Sequence, residues 1–434
     1  MLCKIVNAAT RRFRRDDRLK TMMNTGVPSF AHQKKDTATP SFSNRAPHMA
    51  AGESNMITSR HFSTVVWVLL VALLCFAVQT TATDDPPHSF DMALPGYHYR
   101  FPEDHGAHKR FRTEWWYYTG HLTAANGRQF GFQLTFFRRG IPPEQIKTLP
   151  SKWSIQQLYL AHFALTDLES GRFLYADKLS REGLGKAGAE TGRLHAWIDR
   201  WSVSMNDQTS DRQHLQAATD EFAINLQVLP SKPPVSHGRE GVSRKGTGPE
   251  QASHYYSLTH LLTEGQIRVG TETFTVSGLS WMDHEFGSAD LDGDMVGWDW
   301  FSLHLSDSTD LMWYSLRRTD GSPAPVSSGT LVLADGQAQP LSTRDLTIEP
   351  LSYWTSPHSR GRYPQRWRIT APSLGLSLDV VSLLADQELN TARSTRVTYW
   401  EGVVSATGHT QGSSVTGRGY VEMTGYAERF AQRL

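Results

Sequence analysis

Beyond Asp84 the chain is built from short runs of β-branched, aromatic and alternating apolar residues, cut at close intervals by Gly, Asn, Asp, Pro and Ser. With few apolar stripes at helical spacing, that cadence restricts the body to sheets packed as sandwiches or barrels. Trp115–Leu122 and Phe130–Phe137 flank Ala125-Asn126-Gly127-Arg128, where Asn-Gly tolerates the positive φ of a tight hairpin. The same pattern predicts strands at Gln157–Leu165, Leu194–Ile198, Phe222–Val228, Tyr255–Leu262, Gln266–Val269 and Thr273–Val276. In the later part it predicts Trp298–Leu305, Leu311–Arg317, Gly329–Leu333, Leu346–Pro350, Trp367–Thr370, Leu376–Val381, Thr398–Val404 and Arg418–Thr424. Pro230–Ser253, rich in Pro, Gly, Ser and charge, is the main irregular stretch; a loop that long is either functional or mobile.

An internal echo points to barrels. Trp115-Trp116-Tyr117-Tyr118-Thr119-Gly120-His121 superposes on Trp298-Asp299-Trp300-Phe301-Ser302-Leu303-His304, with the same spacing from tryptophan to histidine. Each run leads through a turn into a strand ending in paired arginines, Arg138-Arg139 and Arg317-Arg318. In extended chain, alternate residues share a face, so Trp115, Tyr117, Thr119 and His121 line up, as do Trp298, Trp300, Ser302 and His304. Two similarly built β-units are expected; chance likeness between two aromatic strands is the other reading.

Bulk properties narrow the function. The 434 residues carry a formal charge of +1, but basic residues outnumber acids by seven before residue 64, leaving a body of net charge −6. That gives no case for nucleic acid. Cys3 and Cys75 both precede the body, so neither a disulfide framework nor a thiolate metal site is available to it. Arg60 and His61, the apolar run Val65–Val78 and small residues to Ala82 form the pattern of a secretory signal over residues ~56–82. The apolar run is shorter than the ~20 residues that cross a bilayer, which favours cleavage near Ala82 over a permanent anchor. The expected organisation is a leader over 1–83, an N-terminal unit over 84–288 and a C-terminal unit over 289–434.

The densest chemistry lies in Trp281-Met282-Asp283-His284-Glu285-Phe286. In a strand, Asp283 and Glu285 would face one way and His284 the other; in a turn all three could converge. One reading is a general acid or base whose pKa is raised by apolar neighbours such as Trp281. The other is an ordered polar turn in which Asp283 caps backbone amides and His284 is a satisfied core residue. A metal reading needs further ligands, and His254, His260 and His304 are the candidates, without a recognised spacing among them. Trp298, Trp300 and Trp313 either line an apolar cavity or fill a core. Singly, His121, His162 and His304 read as core histidines. Tyr255 after His254 offers a phenolic donor at a cavity mouth, or is an ordinary strand tyrosine. Ser280 lacks the second glycine of a nucleophile elbow. No cofactor and no resident metal are expected.

These motifs together resemble the AttH-like family, the lipocalin-like group that includes hydroxyneurosporene synthase (carotenoid 1,2-hydratase) and predicted secreted hydrolases. The resemblance is carried by Glu114–Leu122, Gln133–Arg138, Ala161-His162, Ser253–Ser257, Trp281–Gly287, Gly297–Phe301 and Gly419–Tyr426, in order over nearly the whole body. It implies an all-β chain of two tandem lipocalin-like (calycin) barrels. It also implies an apolar ligand, lipid or isoprenoid, held in a barrel or in the groove between barrels. By this likeness Asp283 would protonate an alkene, Trp281 or Trp300 would stabilise the cation, and His284 or Tyr255 would hold the water. Trp115, Tyr117, Trp298 and His304 complete the expected site. Secretion, and a partnership with an ABC-type exporter as enzyme or as carrier, are implied for the branch that carries a signal peptide; a metal-assisted hydrolase is the third reading.

Overall fold

The computed structural model describes residues 90–142, 146, 155–205, 210–248, 251–288 and 293–428. The expected leader, signal and cleavage position lie outside the described residues.

Two antiparallel sheets make up the body. The first holds β1 (Thr113–Ala124), β2 (Gln129–Gly140), β3 (Gln157–Asp167), β4 (Arg172–Arg181), β5 (Ala187–Ala189), β6 (His195–Ile198) and β7 (Trp201–Ser204). It continues with β8 (Gln213–Ala218), β9 (Phe222–Pro230), β10 (Val235–Ser236), β11 (Val242–Arg244), β12 (Ala252–Val269) and β13 (Glu272–Gly287). Its order is β4-β3-β2-β1-β13-β12-β9-β8-β7-β6-β5, with β10 and β11 also on β12, and it curls into a nearly closed barrel.

The second sheet holds β14 (Met295–Leu305), β15 (Asp310–Arg318), β16 (Ser328–Val332), β17 (Ala338–Ser342) and β18 (Thr347–Thr355). Then come β19 (Arg362–Ala371), β20 (Leu376–Ser382), β21 (Glu388–Asn390), β22 (Thr398–Thr410) and β23 (Ser413–Thr424). Its order, β17-β16-β15-β14-β23-β22-β20-β19-β18, forms a half-barrel with β17 and β18 as unpaired edges. Among the described residues there is no α-helix. The fold is a pair of lipocalin-like barrels, and the two sheets are wound alike: β1 lies between β2 and β13, and β14 lies between β15 and β23.

Side-chain alternation sorts each strand into two faces. Inward residues such as Phe132, Leu134, Phe163, Trp201 and Leu226 fill the first barrel. Phe301, Leu303, Trp367, Leu378 and Val404 pack inside the second. The outward faces of β1, β12 and β13 meet those of β14, β15, β22 and β23 in a third, aromatic cluster. Burying each such aromatic is worth about 2 kcal/mol, so the seam between the barrels is a core in its own right. Gly131 sits in that seam because a Cβ there would lie 2.6 Å from Tyr420 Oη and 3.0 Å from Val403 Cβ. His162 ties the seam further, its ring bonded to Tyr399 Oη at 2.8 Å and Ser394 Oγ at 3.0 Å.

The strands expected at Tyr255–Leu262 and Gln266–Val269 are one strand, β12, carried through Gly265 at φ +149°. Thr273–Val276 likewise runs on into the Asp283 stretch as β13, so that stretch is strand and not turn. The irregular Pro230–Ser253 stretch lays two short strands, β10 and β11, across β12.

Candidate functional site

Register decides which polar groups meet. On β13, Asp283 pairs with Tyr117 of β1 and Ser257 of β12, while Glu285 pairs with Trp115 and Tyr255. All six share the face turned toward the second sheet. On β14, Trp300 pairs with Tyr314 of β15 and Glu422 of β23, and Glu422 pairs with Glu401 of β22. Between these faces lies a cavity of about 20 Å³ lined by Trp115, Tyr117, Tyr255, Asp283, Trp298, Trp300 and Glu422. Lys245, Glu285 and Tyr314 close it. That space admits one water.

Asp283 is 4 % exposed. Its Oδ1 accepts hydrogen bonds from Trp281 Nε1 at 2.6 Å and from the Ser257 hydroxyl, and its Oδ2 accepts one from Tyr255 Oη at 2.6 Å. Burial pushes its pKa up to about 7; the hydroxyl and indole donors pull the other way, and the Glu285 charge adds to the rise. Behind Ser257 stands His237, with Nε2 2.6 Å from Ser257 Oγ and Nδ1 2.9 Å from Thr330 Oγ1. Because Ser257 gives its proton to Asp283, His237 donates through Nε2 and accepts through Nδ1, which fixes a neutral tautomer. Burial lowers its pKa to about 3, in keeping with that form. Trp300 Nε1 donates to Tyr255 Oη at 3.2 Å, so the second sheet helps aim the phenol at Asp283.

Opposite Asp283 stands Glu422, 6 % exposed. Burial raises its pKa to about 8, with the Trp298 side chain bonding it in opposition and the Asp283 charge adding to the rise. Its neighbour Glu401 is fully buried and displaced well above the carboxylate range, by burial first and by the Glu422 charge second. Tyr117 Oη donates to Glu401 Oε1 at 2.6 Å, and among the described residues Glu401 Oε2 has no hydrogen-bond partner. A buried carboxyl in that setting holds its proton. Lys245, only 4 % exposed, lies 2.9 Å from Glu285 and 4.5 Å from the Tyr314 ring centroid, neutralising the third carboxylate of the cavity.

Of the residues expected from sequence, Asp283, Glu285, Tyr255, Trp115, Tyr117, Trp298 and Trp300 come together here. Trp281 stands just behind, bonded to Asp283. His284 does not join them: strand alternation turns it into the first barrel, against Tyr256 Oη at 3.0 Å and Glu114 Oε1 at 2.9 Å. It cannot hold water for Asp283, which corrects the expected pairing. His304 is likewise outside the cavity, with Nδ1 3.1 Å from His121 Nε2 and Nε2 donating to Thr259 O at 2.7 Å. Glu422, Lys245, Tyr314 and Glu401 were not singled out from sequence. Glu422 lies in the Gly419–Tyr426 run, and a carboxylate alternating with Tyr420 and Thr424 on a buried strand was the available signal.

Two clusters have the donor types of metal sites: His108 with Glu114 and His284, and His260 with His304 and Asp310. Each carboxylate already carries a cation. Arg138 Nε bonds Glu114 at 2.8 Å, and Lys232 Nζ bonds Asp310 at 2.8 Å. Arg138 holds Glu114 well below the usual range in spite of its burial. Both clusters therefore read as buried struts, and His254, the remaining candidate ligand, stands apart among Tyr97, Phe111 and Phe286.

The profile of the AttH-like family matches residues 92–426. The crystal structure of the AttH-type protein of Nitrosomonas europaea superposes with a TM-score of 0.69 at 34% identity, covering 78% of this chain and 100% of that one. Kievitone hydratase of Nectria haematococca shares the fold at 17% identity, with a TM-score of 0.59 over 79% of this chain and 98% of its own. The dehydratase asqC of Emericella nidulans is 24% identical over 228 residues, which cover 51% of this chain and 63% of that relative's length.

Proposed function

Since the chain belongs to the AttH-like family, whose fold is shared by a hydratase, we propose that it adds water to, or removes it from, a carbon–carbon double bond held between the two barrels. The observation that carries this reading is a pair of buried carboxyls, Asp283 and Glu422, on opposite walls of one aromatic cavity. Their pKa values are raised to about 7 and about 8. Near neutrality Glu422 holds its proton while Asp283 is about half ionised, which suits them as acid and base.

In hydration, the Glu422 O–H proton passes to one alkene carbon and the π electrons form that C–H bond. The positive charge left on the other carbon faces the rings of Trp300, Tyr117, Trp298 and Trp115. Water adds to that carbon and loses a proton to the Asp283 carboxylate, so one water is consumed. A proton then returns from Asp283 to Glu422 through solvent. Dehydration is the same path reversed. Lys245 paired with Glu285 adds no net charge to the cavity, which suits an uncharged, largely apolar substrate of the lipid or isoprenoid class. The signal pattern over residues ~56–82 supports action outside the cytoplasm by a mature chain that begins near residue 83; intact mass would check it.

The test is conversion of acyclic isoprenoid alkenes or tertiary alcohols in ¹⁸O-water, followed by mass spectrometry. Wild type should exchange one oxygen, with a bell-shaped pH profile centred between about 7 and about 8. Glu422→Gln should lose about 10²–10⁴-fold in kcat, along with the alkaline limb of the profile. Full activity of Glu422→Gln and Asp283→Asn would end the reading.

A further inference from the structure

The half-barrel has a hollow of its own. It measures about 440 Å³ and is lined by residues of β14, β15, β18 and β19 together with Thr343 and Leu346 from between β17 and β18. It is distinct from the cavity between the sheets, because alternation divides the shared wall. Trp298, Trp300 and Tyr314 face the seam, whereas Asp299, Phe301, Trp313, Ser315 and Arg317 face the hollow. The size falls in the usual range for small-molecule sites, about 300–1,000 Å³.

Its walls are specific. Phe301 and Trp367 meet edge to face at 5.5 Å between ring centroids, and Trp313, Leu346 and Ile348 extend the apolar surface. The polar corner is Asp299, which accepts from Arg317 Nε at 3.1 Å and from Tyr426 Oη at 3.1 Å. The Arg317 guanidinium also stacks 3.7 Å over the Tyr426 ring. This corner offers hydrogen-bonding atoms without net charge, since the carboxylate and guanidinium cancel. The way in is the unclosed side of the sheet: β17 and β18 do not pair with one another, and β18 departs twice from regular register near Ser352, leaving Leu351 and Tyr353 exposed.

We propose that the half-barrel binds a second ligand, independent of the reaction in the seam: an uncharged molecule with a flat or extended apolar body and one hydroxyl, the hydroxyl lodged at Asp299 and Arg317. A carboxylate in place of that hydroxyl would bring a second negative charge against Asp299, whose guanidinium partner is already engaged with Asp299 and Thr424 O.

Retinol, an isoprenoid alcohol, is the probe. Trp313 and Trp367 border the hollow, so binding should quench tryptophan emission by energy transfer, saturating at one equivalent. Ser315→Phe, which fills the hollow, and Thr347→Trp, an exposed rim position, should each weaken binding at least tenfold. Both should leave turnover in the seam unchanged, and Glu422→Gln should bind retinol as wild type does. Retinoic acid should bind at least tenfold more weakly than retinol. Absence of saturable quenching, binding untouched by both hollow variants, or binding lost in Glu422→Gln would each overturn the assignment. Equal affinity for the acid would overturn the uncharged-ligand class. The Thr347→Trp result decides if Ser315→Phe does not fold.

Discussion

Asp283→Asn separates the chemistry of the seam from its folding, because the two should respond in opposite directions. In the unfolded chain Asp283 ionises near 3.8, whereas in the folded protein it keeps its proton to about 7. Each tenfold difference in proton affinity is worth about 1.4 kcal/mol, so the folded state is penalised by about 4 kcal/mol once both forms are ionised. The sign follows from which state holds the proton. Below 3.8 neither state is ionised and the contribution is fully present. Between 3.8 and about 7 only the unfolded chain loses its proton, and stability falls as pH rises. Above that the loss is constant.

Asparagine removes the slope. Its Oδ1 can accept from Trp281 and Ser257, while its amide donates to Tyr255, whose own proton must turn elsewhere at a cost of about 1 kcal/mol. The variant should therefore be about 1 kcal/mol less stable than wild type near pH 4 and about 3 kcal/mol more stable near pH 8, with turnover reduced at least a hundredfold. Urea unfolding followed by tryptophan emission at the two pH values measures the difference. A stability difference that does not change with pH would refute the burial-driven rise in the Asp283 pKa, and with it the acid–base pairing.

Three further variants test neighbouring claims. Tyr255→Phe removes a donor that favours the carboxylate form of Asp283, so the acid limb of the rate profile should move up by up to about one pH unit; a limb that stays put or moves down contradicts the network. His284→Ala should cost about 3 kcal/mol of stability through a cavity and a lost partner for Glu114. The folded fraction should keep kcat within a few-fold, and a hundredfold loss would return the imidazole to the chemistry. Gly131→Val should lower stability by about 2 kcal/mol, since its side chain collides with Tyr420 and Val403 across the seam; an unchanged melting temperature would show that the sheets yield there at no cost.

The strand cadence, the two-unit organisation and the two halves of one wall of the site were legible in the residues because alternation is a local property. Trp115 and Tyr117 share a face by counting alone, as do Asp283 and Glu285 on their own strand; that the two pairs share one wall comes from the β1–β13 register. The polar run Asp283-His284-Glu285 nonetheless admitted a turn, since nothing local distinguishes a bend from a strand whose two faces are both buried. That ambiguity is what placed His284 beside Asp283. Glu422 and Lys245 were harder. Glu422 reaches the cavity only because β23 docks on β14, more than a hundred residues away in sequence. Lys245 is buried only because β11 folds over β12. The β14–β23 pairing belongs to tertiary structure, whereas β11 and β12 are close in sequence and it is the burial of a lysine between them that the local composition, rich in Pro, Gly, Ser and charge, did not announce.

The like winding of the two sheets has a bearing on how the reaction acquires a direction. Tyr117 corresponds to Trp300 in the repeated run, so their cross-strand partners, Asp283 and Glu422, occupy matching stations on matching strands. Two identical halves would present twin acids with equal claim to a single proton, and the alkene could be approached from either side. What breaks the tie is the set of donors: Ser257 on the next strand out, with Tyr255 and Trp281, bonds one carboxyl and steadies its charge, while the station of Ser257 beside Glu422 is taken by a second protonated carboxyl, Glu401. Giver and taker are thus told apart by the hydroxyl and indole donors that one of them has gathered.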